Sequence, residues 1–352
     1  MSCQEAVAAF LESGQPYRLE TVSGGLINHT SKLTDLQSGR TYLLQQFNLH
    51  VFPEPRKIQE NYLLLQAHLR SLPRSFFIPE LLYFAGNQLL FTDSAKQCWR
   101  VFRFVENSRQ LNGTEDPAQA ATVAESFARL TAACNDLDST ALHTIIPRFH
   151  DVSHRYDQFM AAIPDAAEER LDKAALLLSE LKSRQRYAEL YRHITRSEDF
   201  RLRVMHHDAK IANVLFDNQS GQIICPVDMD TLMPGYFFSE LGDMIRSMAG
   251  TADERSTDLE QLQIRPAIYK AITDGYLNGI GPFLTNAEKS LVHASGLLLI
   301  YMQALRFMTD YLQNDRYYRV THPGQNFDRA KNQLVLLNRL EEFLADNYKF
   351  TC

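Results

Sequence analysis

The stretch "HHDAKIANVLFDNQSGQIICPVDMD", His206 to Asp230, decides how this chain is read. It opens on two histidines and an aspartate and closes on two more aspartates. One reading is a metal cluster. However, His206, His207 and Asp208 are adjacent, so on a regular backbone their side chains diverge, whereas zinc sites favour spaced ligands. Another reading is a polar loop without chemistry, because Asp and Asn satisfy turns. The spacing argues for more than a loop. His206 stands two residues before Asp208 and Lys210 two after it. Asn213 follows, then the apolar triplet "VLF" (Val214–Phe216), as a strand would. Asp228 ends a second apolar strand, "IICPV", and the two strands read as a hairpin turned at Asn218–Gly221.

Outward from this stretch the chain divides in two. Towards the N-terminus it is strand-rich. "YRLETVSGG" (Tyr17–Gly25) alternates and ends in a glycine pair, "HTSKLTDL" resumes the alternation, and "SGR" turns into "TYLLQQFN". "EPRKIQENYLLLQAHLRSL" (Glu54–Leu72) has helical spacing. "ELLYFAG", "QLLFTD" and "CWRVFRFVE" read as three short strands, with Gly86–Gln88 as a turn. After Glu106 the character is helical. Asp116 and Pro117 form an N-cap and first position for an alanine-rich helix. Helical patterns recur at about 165–195, 238–249, 257–277, 286–314 and 327–347. The expected organisation is α+β, with a small β-rich lobe over 1–106 and a larger, mostly helical lobe over 107–352.

Composition bounds the function. The 352 residues are 45% hydrophobic and 22% charged, enough for two lobes with their own cores. A net charge of -6 with interspersed signs argues against nucleic acid or an anionic membrane as partner. Five scattered cysteines without a CxxC pair support neither a zinc ribbon nor a disulfide framework. The N-terminus reads as an amphipathic helix, not a signal peptide, and "GLLLIYM" (Gly296–Met302) is too short to span a bilayer. These features imply a reducing, cytoplasmic setting. Nothing in the sequence fixes an oligomeric state.

"HHDAKIAN" resembles the protein-kinase catalytic loop H-R-D-x-x-x-x-N, which is followed by a strand and a metal-binding aspartate. The strand, glycine loop, strand, turn, strand and helix before it are also of the kinase type. The resemblance implies a protein-kinase-like two-lobe fold and phosphoryl transfer from ATP with Mg2+. Asp208 would hold the acceptor hydroxyl and take its proton. Asn213 and Asp228 would offer the metal hard oxygen donors. Asp230 is a further acidic candidate, or else a turn-capping residue before Thr231. Lys210 would sit against the γ-phosphate, or else be a solvated loop lysine. His206 would brace the loop.

The stretch after Asp228 departs from protein kinases: there is no D-F-G, no A-P-E and no room for a long activation segment. "VDMDTLMPG" (Val227–Gly235), "LGDMIRS" (Leu241–Ser247), "GGLINHTSKL" (Gly24–Leu33), "YLLQQFN" (Tyr42–Asn48) and "LRFMTDYLQNDRYY" (Leu305–Tyr318) resemble the aminoglycoside phosphotransferase and choline kinase superfamily. Within it they look most like the N-acetylhexosamine 1-kinase branch. That branch implies phosphorylation of the anomeric hydroxyl of GlcNAc or GalNAc. The alternatives are a superfamily kinase for choline, homoserine or another sugar, or a non-catalytic nucleotide-binding protein.

The nucleotide would lie on the loop bearing Gly24, Gly25, Asn28 and Thr30, where successive N–H groups can cradle phosphate. Its adenine would meet the main chain of Phe104–Glu106. The ATP-binding lysine of kinases is missing from the third strand, which offers Gln45 or Gln46. A glutamine amide can bond phosphate but adds no charge. Glu60 stands where a kinase places that lysine's partner, or is a surface acid. For the sugar, Arg306 and Tyr317 are the candidates. Asp310, i+4 from Arg306, could instead pair with it. Asp243 and Arg246 are expected to be a structural pair, and Trp99 a core residue.

Overall fold

The computed structural model describes residues 2–12, 14–22, 27–73 and 76–352. In chain order its elements are α1 (Ser2–Phe10), β1 (Tyr17–Thr21), β2 (His29–Asp35), β3 (Thr41–Gln46), α2 (Pro55–Ser71), β4 (Leu81–Leu82), β5 (Phe91–Thr92), β6 (Cys98–Arg103) and β7 (Ser108–Arg109). Then come α3 (Pro117–Ala133), α4 (Val152–Ala162), α5 (Glu168–Ser183), α6 (Arg186–Ile194), β8 (Arg203–Met205), β9 (Val214–Asp217), β10 (Ile223–Pro226) and β11 (Met233–Gly235). The chain ends in α7 (Phe238–Met248), α8 (Pro266–Ile280), α9 (Asn286–Ser290), α10 (Ala294–Leu312) and α11 (Gln325–Tyr348). Two compact units result. One comprises residues 1–110, 136–145 and 214–234, and the other residues 111–135, 146–213 and 235–352. Among the described residues no helix is long and apolar enough to cross a membrane.

The first unit is built on an antiparallel sheet in the order β1-β2-β3-β6-β4, with β5 also on β6. Alternation sorts its side chains to two faces. Leu33, Tyr42, Leu44, Trp99 and Val101 bury one face against Ala6 and Val7 of α1. On the other face the ring of Phe102 meets Tyr62 of α2 at 5.0 Å. Register sets Gln45 opposite Arg100 on that second face. Trp99 is core, as the sequence suggests, with its indole N–H donating to Asp93 at 2.8 Å. A hairpin of β9 and β10 pairs with β7, and Gly221, at φ 70°, supplies its turn.

The second unit is helical. α10 is apolar on nearly every side because other helices surround it: α4, α7 and α11 all pack on it. α3 and α8 lie so close that a side chain at Gly275 would run into the backbone of Ala121. Asp116 caps α3 as expected, accepting from Ala118 N–H at 2.9 Å.

Three helical expectations are corrected. The pattern at 165–195 is two helices, broken after Ser183. The pattern at 286–314 is also two, parted after Ser290. The pattern at 257–277 becomes helical only at Pro266. Pro266 holds the first helical position, and it disfavours helical backbone at the residue before it.

Candidate active site

β8 brings the chain to the site. Arg203 at its start is buried and forked on Glu288, at 2.6 and 2.9 Å. The loop that follows is then pinned from beneath. Glu240 of α7 is fully buried and accepts the His206 backbone N–H at 2.7 Å and the Thr131 hydroxyl at 3.1 Å. The His206 ring packs edge-on against Phe127 at 5.1 Å and its Nδ1 lies 3.3 Å from the Asp208 N–H, so His206 braces the loop. His207 takes a left-handed backbone, φ 63°, and its ring lies where a side chain at Gly235 would collide with it. A left-handed β-unbranched residue is uncommon and marks a chain turned by its surroundings.

Asp208 is the focus of this loop. Its Oδ2 accepts from Lys210 Nζ at 2.9 Å and from Asn213 Nδ2 at 2.7 Å, and Asn213 also bonds the Asp208 carbonyl at 2.8 Å. Burial works to raise its pKa. The Lys210 charge and hydrogen bond, helped by His206 and Asn213, outweigh burial and hold the carboxyl below its usual range. Asp208 is therefore ionised and oriented before any ligand arrives. Asp243 lies near enough to feel Asp208 and is fixed by Arg246 at 2.8 Å, the structural pair expected from the spacing.

Glu240 is different. Burial pushes its pKa up to about 7 despite its hydrogen bonds. A carboxyl with a raised folded-state pKa favours folding while protonated and loses that contribution as pH climbs from 4.5 to about 7. Glu240→Gln cannot titrate. It is expected to gain stability relative to wild type across that interval, by up to about 3 kcal/mol. Unfolding free energies of both proteins measured as a function of pH check this; a difference that stays constant with pH refutes the assignment.

In the first unit, register brings β9 and β10 together with Val214 opposite Pro226. The residue after Asn213 thus faces the residue two before Asp228. Asp228 itself is left-handed, φ 64° and ψ 56°, a conformation that Asp tolerates better than most residues. Asp230 is buried with both oxygens engaged: Oδ1 takes Arg100 at 2.5 Å and Oδ2 takes Asn28 at 2.7 Å. Arg100 also donates to Gln45 at 2.9 Å, and Gln45 donates to Thr30 at 3.0 Å. The rings of Phe47 and Phe102 flank the guanidinium at 4.5 and 5.0 Å. Sequence reading missed Arg100. The cation absent from β3 stands one strand over, opposite Gln45. The signal was an arginine at a buried position of the apolar run "CWRVF".

The remaining expected residues are placed as follows. Gln46 bonds Gln97 at 2.8 Å. Phe104 N–H donates to Thr41, and its ring lies under Lys32 at 4.2 Å; Glu106 takes Lys32 and the Thr41 hydroxyl. Glu60 pairs with Arg56 and His143. Gly24 and Gly25 lie outside the described residues. Asp310 does not pair with Arg306 among the described residues. It accepts from the N–H groups of Tyr317 and Tyr318 and from Asn326, so it shapes the loop after α10. Arg306 bonds Gln303 at 3.0 Å, and Tyr317 is 63% exposed.

Among the described residues no three His, Cys, Asp or Glu groups gather to hold a metal ion. The oxygen donors present still suit Mg2+, which is held by one or two carboxylates and completed by phosphates and water. Asn213 turns its NH2 to Asp208, which directs its carbonyl oxygen the other way.

This sheet-and-helix architecture is shared with solved phosphotransferases. The model of the phosphotransferase enzyme family matches residues 18–276, and the chain belongs to that family. Solved structures share the fold at low identity. A microcompartment-associated aminopropanol kinase is 15% identical with a TM-score of 0.62, covering 98% of this chain and 97% of that one. An aminoglycoside phosphotransferase from Alicyclobacillus acidocaldarius is 15% identical with a TM-score of 0.58, covering 98% and 95%. A spectinomycin phosphotransferase, solved with ADP and spectinomycin, is 9% identical with a TM-score of 0.58, covering 97% and 99%.

Proposed function

We propose that the protein is an ATP- and Mg2+-dependent kinase that phosphorylates the anomeric hydroxyl of an N-acetylhexosamine, GlcNAc or GalNAc, to the sugar 1-phosphate. The observation that carries the kinase reading is the Asp208 carboxylate, ionised and held at one oxygen by Lys210 and Asn213. That leaves Asp208 to receive the acceptor hydroxyl. As the hydroxyl oxygen bonds to the γ-phosphorus and the bond to ADP breaks, the proton passes to Asp208. Phosphoryl transfer asks for positioning more than for a strong base, so a depressed pKa suits the role. Mg2+ would neutralise charge on the phosphates, with Asn213 supplying a carbonyl oxygen and Asp228 a carboxylate. Asn28, Thr30 and Gln45 belong to one hydrogen-bonded set with Arg100 and Asp230, which supports their assignment to the nucleotide. Gln46, Phe104 and Glu106 are assigned to the nucleotide, and Arg306 and Tyr317 to the sugar, by their place in the sequence.

The acceptor rests on the resemblance at Val227–Gly235 and Leu305–Tyr318. An acetamido group offers an N–H, a C=O and a methyl. A site shaped for it leaves polar groups unpaired with a plain hexose, at a cost of about 1–3 kcal/mol for each buried orphan. N-acetylhexosamines are therefore expected to exceed plain hexoses by about 5- to 150-fold in kcat/KM per orphan. A coupled ADP-release assay measures the ratio, and phosphorus NMR of the product should show coupling to the anomeric proton. Phosphate on C6, or choline or homoserine as best acceptor, would defeat the sugar assignment and leave the kinase standing.

A further inference from the structure

Arg306, assigned above to the acceptor, stands in a cluster of cations and aromatic rings that adjoins His207. The His207 ring, next in the chain to Asp208, meets the rings of His150 at 5.3 Å and Phe149 at 6.4 Å. Arg306 lies over Phe149 at 5.3 Å, Tyr318 at 5.5 Å and Tyr317 at 5.9 Å. Arg155 donates to the Phe149 carbonyl at 3.1 Å and to Gln158 at 2.8 Å. Arg329 lies over Phe307 and Tyr318.

Asp208 apart, the carboxylates around this cluster are engaged by the protein's own groups. Asp243 and Glu254 hold Arg246, and Glu254 also holds Arg329. Asp151 takes Arg148, Ser153 and the His154 N–H. Asp310 is spent on backbone N–H groups and Asn326. Arg155 and Arg306 form no ion pair with a carboxylate among the described residues, although Asp151 offsets part of the field at Arg155. Burial and then their mutual repulsion push Arg155 down to about 10. His150 senses the same field: burial first, then His207, Arg306, Arg246 and Arg155 keep it neutral.

The aromatic faces matter as much. A site for an ammonium ligand presents open ring faces to it, commonly beside a carboxylate. Here the protein's own guanidiniums already cover Phe149, Tyr317, Tyr318 and Phe307. What the cluster offers a ligand is N–H donors, which suit hydroxyl, carbonyl and carboxylate oxygens.

We propose that Arg155 and Arg306 set the charge class of the acceptor: the site takes neutral or anionic polyhydroxy compounds and rejects ammonium-bearing ones, whether amino alcohols, aminoglycosides or free amino sugars. The proposal rests on the reading that the acceptor reaches both Asp208 and Arg306, but not on that acceptor being an N-acetylhexosamine.

Glucose and glucosamine provide the test, since they differ only in a hydroxyl or an ammonium at C2. In an ADP-release assay at mildly acidic pH, glucosamine is expected to fall about 10- to 100-fold below glucose in kcat/KM, the repulsion of two partly screened charges. Glucuronate should not be disfavoured in this way, and choline and aminopropanol should be poorer still than glucosamine. Arg306→Gln should narrow the gap between glucose and glucosamine, while Arg306→Lys keeps it. If the variants do not fold, the wild-type pair decides alone. Equal use of glucose and glucosamine, an ammonium compound as best acceptor, or an unchanged gap in folded Arg306→Gln would overturn the proposal. A preferred neutral acceptor that is not an N-acetylhexosamine would sink the sugar assignment and uphold this one. Turnover with no acceptor of any charge would overturn both.

Discussion

Asp208→Asn is expected to lower turnover by about 10²–10⁴-fold, the range of a positioned acid–base group. The geometry explains why so small a change should cost so much. Lys210 and Asn213 both donate to Oδ2, so an asparagine would turn its carbonyl oxygen towards them. Its NH2 would then stand where the acceptor hydroxyl needs an acceptor of its proton. The bonds from Asn213 Nδ2 to the Asp208 carbonyl and from the His206 N–H to Glu240 do not depend on the Asp208 carboxylate, so the loop should keep its shape. Affinity for ATP should change little. Steady-state kinetics with a nucleotide-binding titration separate the two effects; a variant that retains most of its kcat would remove Asp208 from the role of base.

The loop was legible in the sequence because its chemistry is local. His206, Asp208, Lys210 and Asn213 lie within eight residues, and their hydrogen bonds run among themselves. The strands of the first unit were also legible, since alternation and turn residues such as Gly86 and Gly221 act within a few positions. What escaped was set by pairing across long separations. Arg100 gains its meaning only from the β3–β6 register that sets it opposite Gln45, and from Asp230 at 130 positions away. Glu240 gains its meaning only because the His206 N–H and the Thr131 hydroxyl reach its carboxylate. Asp310 looked like a partner for Arg306 by helical spacing, yet the loop after α10 offered it backbone N–H groups instead. No single-sequence periodicity records such choices. The helix breaks were missed for another reason: an apolar stripe can run on across two short helices, and only the backbone shows where it stops.

The two aspartates at the end of the opening stretch should separate cleanly on substitution. Asp230 neutralises a guanidinium that has almost no contact with water, and Asn28 and Gln45 hang on the same pair. Removing one partner of a buried ion pair leaves an uncompensated charge, at a cost of about 3–5 kcal/mol. Asp230→Ala is therefore expected to show first as lost stability in denaturant unfolding, and to lose activity in step with the folded fraction. Asp228 poses the opposite case. Its left-handed backbone would strain an alanine, so asparagine, which tolerates that conformation, is the cleaner replacement. If Asp228 supplies the metal carboxylate, Asp228→Asn should fold normally yet lose about 10²-fold or more in turnover, several kcal/mol of charge stabilisation. Raising the Mg2+ concentration should recover part of that loss. Paired measurement of unfolding free energy and Mg2+-dependent kcat on both variants decides the matter: a stable, inactive Asp230→Ala together with an unstable Asp228→Asn would exchange the two roles, and equal losses in both properties would mean that the aspartates act as one unit.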